Sequence, residues 1–244
     1  MQPLSRSTAV LSRSTAAVRC NDCAYRTHRM FCNLSAAALA DFDAIGVQLV
    51  LAKGTFLFRE HEPGDGVHVI CSGQVKLSCT SREGRTLILK IAVPGDVVGL
   101  GAVISGSRFE VTAETIEPVQ VKKIRREEMI RFFERHGEAS MHAAKALSEE
   151  YKSAFFDARR LALSSSAAGR LASVLLDWGR AASCGQAEMR FTMALTHEDL
   201  ASLAGTSRET VTRTLSKFKQ EKLIQIHGSS LHILAPERLA QLAA

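Results

Sequence analysis

Three cysteines lie within thirteen residues near the start of the chain, where they could bind a metal or respond to oxidants. They are Cys20, Cys23 and Cys32. Thiolates two residues apart can share one metal ion or iron–sulfur cluster, because the loop between them turns tightly. The neighbouring arginines, Arg19, Arg26 and Arg29, predict a positive environment that lowers the thiol pKa and raises thiol reactivity. The segment is therefore predicted to be sensory.

A second group of chemically competent side chains lies on one face of a predicted helix. The face carries Arg208, Glu209, Thr212 and Arg213. Arginine donates two parallel hydrogen bonds to guanine O6 and N7, and glutamate accepts one from cytosine N4. Val211 and Leu215 form the opposite, apolar face, and Lys217 and Lys219 suit phosphate contacts. The pattern predicts a helix that reads bases in the major groove of DNA.

The predicted base-reading side chains must be positioned by regular structure, and the surrounding sequence predicts a helix-turn-helix. Helices are predicted from His197 to Ala204 and from Arg208 to about Gln220, separated by Gly205, Thr206 and Ser207. Thr196 and Asp199 have the spacing of a capping box, and Ser207 is a good N-cap. Two short helices with a glycine-containing turn are typical of this motif. Ile224–His227 and Leu231–Leu234 predict a two-stranded wing.

The middle of the chain predicts a β-structure. Between Lys53 and about Lys123, short runs rich in β-branched residues alternate with glycine-containing turns. The runs are Thr55–Phe58, Val67–Cys71, Val75–Cys79, Leu87–Val93, Val97–Leu100 and Val119–Ile124. Strands at this spacing indicate an antiparallel sandwich or a barrel-like roll. Residues 1–19, rich in Ser and Thr and without acids, predict a disordered tail.

A long helix is predicted from Glu138 to Leu163, followed by another from about Ala167 to Ala182. Apolar residues recur along the long helix at steps of three and four, namely Met141, Ala144, Leu147, Tyr151, Phe155 and Ala158. Such a helix suits a homodimer seam, although a helix packed on its own domain would show the same pattern. The predicted divisions are a tail (1–19), a sensory roll (20–137), a dimerisation helix (138–163) and a DNA-binding domain (164–244).

The composition excludes several classes of protein. With 46% hydrophobic and 23% charged residues in 244, the chain has the balance of a soluble globular protein. It lacks an apolar run of about 18 residues that could span a membrane. Six cysteines without a signal peptide do not suit a secreted disulfide scaffold, and the net charge of +6 permits an anionic partner. No enzyme signature is found, so a cytoplasmic, non-enzymatic protein is expected.

The motif Leu200-Ala201-x-x-x-Gly205-x-Ser207-Arg208-Glu209-Thr210-Val211-x-Arg213-x-Leu215 resembles the DNA-binding motif of the Crp/Fnr transcription regulators. The likeness is specific there and extends more loosely over residues 20–240. It implies an α+β fold with an N-terminal cyclic-nucleotide-binding-like β-roll, a long dimerisation helix and a C-terminal winged helix-turn-helix. The implied partners are double-stranded DNA, RNA polymerase and a second copy of the chain.

The resemblance also assigns roles to individual residues. It implies that Arg208, Glu209 and Arg213 read bases. Phosphate contacts are implied for Thr196, His197, Ser207, Thr210 and His227.

The branch of this family that binds cyclic AMP has a Gly-Glu-Leu and an Arg-Ser pair at its phosphate pocket. The first region is Gly99-Leu100-Gly101 here, and the second is Ser107-Arg108-Phe109. The glutamate expected at the ribose is missing, and Arg108 is out of register. Because a buried cyclic phosphate needs charged hydrogen-bond partners, the sequence predicts that cyclic AMP is not the signal.

The oxygen-sensing branch binds an iron–sulfur cluster with N-terminal cysteines and one cysteine from the roll. Cys20, Cys23 and Cys32 resemble the N-terminal group, although the eight residues between Cys23 and Cys32 exceed the usual gap. The expected fourth cysteine is replaced by Val121-Lys122, and the candidate substitutes are Cys71, Cys79, His28 and His68. An oxygen-labile cluster with Cys71 as fourth ligand is the leading hypothesis, and direct thiol oxidation is the second. Structural thiols, haem or a small ligand in the roll, and a signalling module without DNA binding are the open alternatives.

Overall fold

A computed structural model describes residues 20–23, 26–163, 166–183, 189–193 and 195–243. The predicted disordered tail, residues 1–19, lies outside the described residues. The chain divides into two compact units, one built from residues before 80 together with 90–151 and the other from residues 80–89 and 152–244. Both helices and antiparallel sheets are present, so the predicted α+β class is confirmed.

Two four-stranded antiparallel sheets form the predicted β-roll, with strand orders β1-β8-β3-β6 and β2-β7-β4-β5. The strands are β1 (Val47–Leu51), β2 (Phe56–Phe58), β3 (Gly66–Ser72), β4 (Val75–Thr80), β5 (Thr86–Ala92), β6 (Val97–Val98), β7 (Thr112–Thr115) and β8 (Val119–Arg125). Phe58, Ile70, Val98, Phe109 and Val121 belong to one buried apolar cluster. The roll interior is therefore filled by side chains.

Helices α1 (Ala36–Ala44) and α3 (Arg126–Arg135) cover the outer side of β3. Because side chains alternate along a strand, Val67 and Val69 face away from Ile70 and join a second apolar cluster with Phe42 and Phe132. Three 3-10 turns precede α1, at Cys20–Asp22, Arg26–His28 and Met30–Cys32. Phe31, only 1% exposed, anchors them in this second cluster.

Helix α4 (Gly137–Leu163) has 27 residues, close to the predicted extent. On the predicted seam, Met141, Tyr151 and Phe155 are 57%, 73% and 57% exposed, and the two alanines are also exposed. Leu147 differs from the prediction, because it is partly buried and packs against the cluster that contains Phe132. This leucine therefore supports its own roll domain.

The C-terminal part contains a core of helices and a small sheet. Its elements are α5 (Ala167–Ser183), β9 (Met189–Thr192), α6 (His197–Ala204), α7 (Arg208–Gln220), β10 (Ile224–His227), β11 (Ser230–Ile233) and α8 (Pro236–Ala243). Leu175, Leu200, Leu215, Phe218 and Leu231 are buried together. The sheet order is β10-β11-β9, so the predicted two-stranded wing gains a third strand.

One short helix replaces part of a predicted strand. The sequence predicts a strand at Val97–Leu100, but β6 ends at Val98 and α2 (Leu100–Ser105) begins two residues later. Gly99, at φ 85°, adopts the left-handed conformation that ends the strand. Within the described ranges, none of the helices combines the length and hydrophobicity that crossing a bilayer requires.

Candidate nucleic-acid interface

The two helices of the predicted helix-turn-helix begin and end at residues suited to those positions. The Thr196 side chain accepts a hydrogen bond from the Asp199 backbone N–H (3.1 Å), and the Asp199 carboxylate accepts one from the Thr196 backbone (3.0 Å). This is a capping box. Gly205, at φ 57°, ends α6, and the Ser207 hydroxyl accepts a hydrogen bond from the Thr210 N–H (3.2 Å) at the start of α7.

Helix α7 has one buried and one exposed face, as the sequence predicts. Its buried residues are Val211, Thr214, Leu215 and Phe218. Its exposed residues include the predicted base readers Arg208, Glu209, Thr212 and Arg213, and the predicted phosphate contacts Lys217 and Lys219. Because the buried face fixes the rotation of the helix, the exposed side chains share the opposite face. Ser207 is also exposed, Thr210 is half-buried, and His227 is exposed at the end of β10.

The exposed face presents an acid between two cations. Hydrogen bonds from its own backbone N–H and from the Ser207 side chain lower the pKa of Glu209. The guanidinium groups of Arg208 and Arg213 act in the same direction. Glu209 is therefore an ionised acceptor at neutral pH, as an approach to a cytosine amino group requires.

Thr212 and His197 restrain each other. The Thr212 hydroxyl donates to the Arg208 carbonyl (3.0 Å), so the His197 Nδ1, 2.9 Å from the same hydroxyl oxygen, must be the donor in that contact. Thr212 then has no hydroxyl hydrogen left for a base.

An arginine that sequence reasoning does not identify holds the turn of this motif. Arg170 of α5 donates from Nε to the Ala204 carbonyl (2.7 Å) and from Nη2 to the Gly205 carbonyl (3.2 Å). A Cβ at Gly205 would lie 2.9 Å from Leu161 Cδ2, so the turn is tightly packed. Because Arg170 precedes the turn by more than thirty residues, no local sequence pattern predicts this contact.

Replacing Arg170 by Gln is expected to weaken specific DNA binding about tenfold, with little change in non-specific binding. Losing two charged hydrogen bonds lowers the stability of the turn that orients α7 by about 1.5–3 kcal/mol for each bond, and only the part that disorients α7 is lost from operator affinity. Fluorescence anisotropy on operator and random DNA would measure both affinities, and hydrogen exchange would follow the turn amides. Arg180→Gln on the same helix is the control. Unchanged operator affinity and unchanged amide protection would contradict this role.

The cysteine segment is folded against the roll. Cys20 donates its backbone N–H to Asp43 Oδ1 (2.8 Å), and Cys20 and Cys32 pack on the apolar cluster beneath α1 and α3. Cys71 of β3 raises the pKa of both thiols, and Cys23 raises the pKa of Cys71. Cys71 therefore lies within electrostatic range of each of the other three predicted ligands.

The predicted lowering of the thiol pKa is wrong for Cys20 and Cys32. Burial raises the pKa of Cys20 to about 12 and that of Cys32 to about 11. Burial also raises the pKa of Cys71, against the opposing charges of Arg29 and Lys122. Desolvation disfavours the thiolate more than the nearby cations favour it. Buried thiols of this kind react slowly with oxidants unless they are uncovered.

These cysteines do not fit a metal or cluster as they are arranged. No group of three or more His, Cys, Asp or Glu side chains in the described part of the chain is placed to hold a metal ion. Lys122, which with Val121 occupies the region where the resemblance predicts the fourth cysteine, is 3% exposed and donates from Nζ to the Asp43 carbonyl (3.0 Å). Cluster binding would require a rearrangement of the segment.

Two other candidate ligands, Cys79 and His68, belong to strands of the roll rather than to the segment. Cys79 is half-buried on β4, and its pKa is raised by burial and by Glu60. His68 lies on β3, 2% exposed, with its ring centroid 5.8 Å from that of Phe58. Burial lowers the pKa of His68 to about 3. The His28 side chain lies outside the described part of the structure.

The roll interior does not fit a cyclic nucleotide. Phe109 stacks on Phe58 with 3.9 Å between ring centroids, and both are buried. A Cβ at Gly99 would lie 2.8 Å from the Phe109 ring. Arg108 is exposed and donates from Nη1 to the His61 carbonyl (2.7 Å), so it does not reach a phosphate inside the roll.

Two family descriptions match the chain. Residues 169–242 match the Crp-like helix-turn-helix domain, and residues 48–136 match the cyclic nucleotide-binding domain. The matched ranges contain α6 to β11 and most of the roll.

Two relatives cover most of the chain. This chain is 30% identical over 192 residues to the CRP-like cAMP-activated global transcriptional regulator of Mycobacterium tuberculosis, and the match covers 78% of this chain and 85% of that protein. It is 29% identical over 227 residues to the transcriptional activatory protein AadR of Rhodopseudomonas palustris, covering 91% and 92%. The solved structure of FixK2 from Bradyrhizobium japonicum superposes with a TM-score of 0.73 at 22% identity, over 82% of this chain and 98% of that one. The structural likeness supports the fold.

Proposed function

The chain belongs to the Crp/Fnr family of DNA-binding transcription regulators, and on that premise we propose that it binds a palindromic operator as a homodimer and answers to oxygen or redox state through its cysteine segment. The family consists of regulators rather than enzymes. The observation that carries the proposal is the exposed face of α7, where Arg208, Glu209 and Arg213 lie opposite a buried face. This arrangement suits insertion of the N-terminal half of α7 into the major groove.

Direct base contacts are proposed for three residues and backbone contacts for a larger set. Arg208, Glu209 and Arg213 have exposed donors or acceptors suited to base edges. The Thr212 hydroxyl donates its hydrogen to the Arg208 carbonyl and is also paired with His197 Nδ1. The Thr212 side chain can therefore offer a base only its methyl group and one remaining acceptor lone pair. The proposed phosphate contacts are Thr196, His197, Ser207, Thr210, Lys217, Lys219 and His227.

A homodimer is proposed because α4 carries exposed apolar side chains that a second copy would cover. Met141, Tyr151 and Phe155 are each more than half exposed. Large apolar side chains that recur along one helix and face water are typical of an interaction surface. Two helix-turn-helix motifs related by a two-fold axis then meet half-sites about one helical turn apart.

RNA polymerase is the proposed protein partner, and activation is the proposed outcome. The support is the likeness to AadR, whose name describes a transcriptional activatory protein. The chain and that relative correspond over nearly their whole lengths.

The cysteine segment is the proposed sensor because its three thiols lie within electrostatic range of a fourth, Cys71 of β3, from a distant part of the chain. Two of the three, Cys20 and Cys32, also pack against the apolar cluster beneath α1 and α3. An oxygen-labile iron–sulfur cluster is the leading candidate for the sensing group only in a rearranged segment, because the cysteines as arranged here do not fit one; on binding, the metal would displace the thiol protons that burial retains. Direct oxidation is second, because the raised pKa values slow it.

Replacing Cys20, Cys23 and Cys32 together by Ser is expected to abolish the response of operator binding to oxygen. Operator affinity would be compared for protein prepared with and without air, alongside iron content and the visible absorption spectrum. Cys79→Ser is the matched control, since Cys79 is a half-buried thiol outside the segment. If wild-type protein prepared without oxygen contains no metal, and the triple variant binds and responds identically, the cysteines are not the sensor.

A further inference from the structure

The C-terminal end of α4, from residue 152 onward, lies in the same compact unit as the helix-turn-helix. The buried apolar cluster of the C-terminal part, as far as the structure describes it, contains no residue of α4. The attachment of α4 to the elements that bind DNA therefore depends on contacts outside that cluster. Two adjacent residues, Arg160 and Leu161, provide such contacts.

Arg160 joins the end of α4 to α5 by ion pairs. Its Nη2 lies 2.8 Å from Asp157 Oδ1, three residues earlier on α4, and its Nη1 lies 3.9 Å from Asp177 Oδ2 on α5. The Arg160 side chain is only 14% exposed. Partly buried charges are screened less by salt and water than exposed ones. Asp157 thus orients the guanidinium that pairs with α5.

The next residue, Leu161, contacts the turn between α6 and α7. A Cβ at Gly205 would lie 2.9 Å from Leu161 Cδ2, closer than a Cβ approaches another carbon, so the leucine methyl lies directly over the glycine. Gly205 therefore provides both the left-handed φ of 57° and the space that Leu161 occupies. The turn that precedes the recognition helix is held by α4 as well as by Arg170 of α5.

The same short length of α4 carries part of the proposed dimer seam on another face. At about 100° per residue, Arg160 lies about 140° and Leu161 about 120° around the helix from Phe155. Phe155 is more than half exposed. Because continuous backbone hydrogen bonds keep a helix stiff over two turns, one rigid segment links the seam to the turn of the DNA-binding motif.

We propose that Arg160 and Leu161 are positioning residues that set the distance and angle between the two recognition helices of a dimer, and with them the spacing of the operator half-sites. The inference rests on the proposed homodimer and its palindromic operator. One additional base pair between half-sites moves one of them about 3.4 Å along the DNA and about 35° around it. A motif attached rigidly to α4 cannot follow this displacement, whereas a loosely attached motif can. The two residues therefore determine specificity for spacing, while α7 determines specificity for sequence.

A variant with both Arg160→Gln and Leu161→Ala tests the proposal. Fluorescence anisotropy would measure its affinity for the operator obtained by binding-site selection, and for operators with one base pair more or fewer between the half-sites. The ratio of these affinities is expected to fall about tenfold, the effect of about one lost charged hydrogen bond. Asp177 keeps Arg180 as a partner at 3.5 Å, so the variant does not strand that carboxylate. Arg159→Gln is the matched control, because Arg159 is exposed and carries the same charge on the same helix.

Two further measurements separate positioning from loss of fold. The double variant is expected to remain dimeric by light scattering, and to bind DNA with a single half-site as the wild type does. If the double variant does not fold, Leu161→Val and Arg160→Lys carry the test, and each is expected to reduce the affinity ratio to a smaller degree.

The outcomes distinguish this inference from the proposed function. An unchanged affinity ratio, an equal loss of affinity for all three operators by a folded dimer, or an equal effect of Arg159→Gln would overturn the inference alone. A wild-type protein with no preferred spacing would contradict the proposed dimeric operator binding, and this inference with it.

Discussion

A variant with both Tyr151→Asp and Phe155→Asp is expected to be monomeric and to lose specific operator binding. These rings are 73% and 57% exposed on α4, so they would be covered only in a dimer. A carboxylate buried in that seam costs several kcal/mol unless it is paired. A monomer carries one helix-turn-helix and loses the linkage between half-sites, so operator affinity is expected to fall at least about a hundredfold.

Light scattering and operator titration would measure these two effects in the same samples. Ser153→Asp is the matched control, because Ser153 is exposed and lies about 200° around the helix from Tyr151. Leu147 is unsuitable for this test, since it packs partly against its own domain and an aspartate there would disturb the fold. A double variant that remains dimeric would place the seam elsewhere.

The helix-turn-helix can be predicted from the sequence because its determinants are local. Thr196, Gly205 and Ser207 specify the helix ends through caps and one left-handed residue. The spacing of Val211 and Leu215 then fixes which side of α7 is buried. None of these features needs information from distant parts of the chain.

The roll is predicted less accurately because its boundaries depend on neighbours. Val97–Leu100 has the composition of a strand, yet Gly99 turns the chain and Leu100 starts a helix under tertiary packing. Leu147 has the spacing of a dimer residue, but the position of the roll beside α4 decides that it is partly buried. Periodicity shows that a side chain packs, and not what it packs against.

The electrostatics of the cysteine segment are the least predictable feature. Three arginines near the thiols predict lowered pKa values, but depth of burial is a tertiary quantity that spacing does not reveal. Cys20 lies against the cluster beneath α1, and desolvation outweighs the charge of Lys122. Likewise, Phe109 could not be recognised from sequence as the residue that stacks on Phe58 inside the roll.

Replacing Arg208 by Ala is expected to cost about 1–3 kcal/mol for each half-site, and therefore about 2–6 kcal/mol on a palindrome bound by a dimer. The loss follows from a guanidinium that is exposed at the first position of α7. Its fork suits guanine, so the wild-type half-site is expected to resemble TGTGA rather than TTGAT. The variant should also lose its preference at one base pair of each half-site, which a merely weakened fold would not produce.

Binding-site selection with wild-type and variant protein tests the assignment of Arg208 to a specific base. Lys219→Ala is the informative comparison, because Lys219 is exposed near the end of α7, where a phosphate contact is expected. Removing a phosphate contact weakens binding to all sequences alike and reduces the salt dependence by about one counterion. Removing a base contact instead changes the selected sequence and leaves the salt dependence nearly unchanged. Wild-type selection of TTGAT half-sites, or an Arg208→Ala variant that selects the same sequence as wild type, would refute the assignment of Arg208 to a guanine.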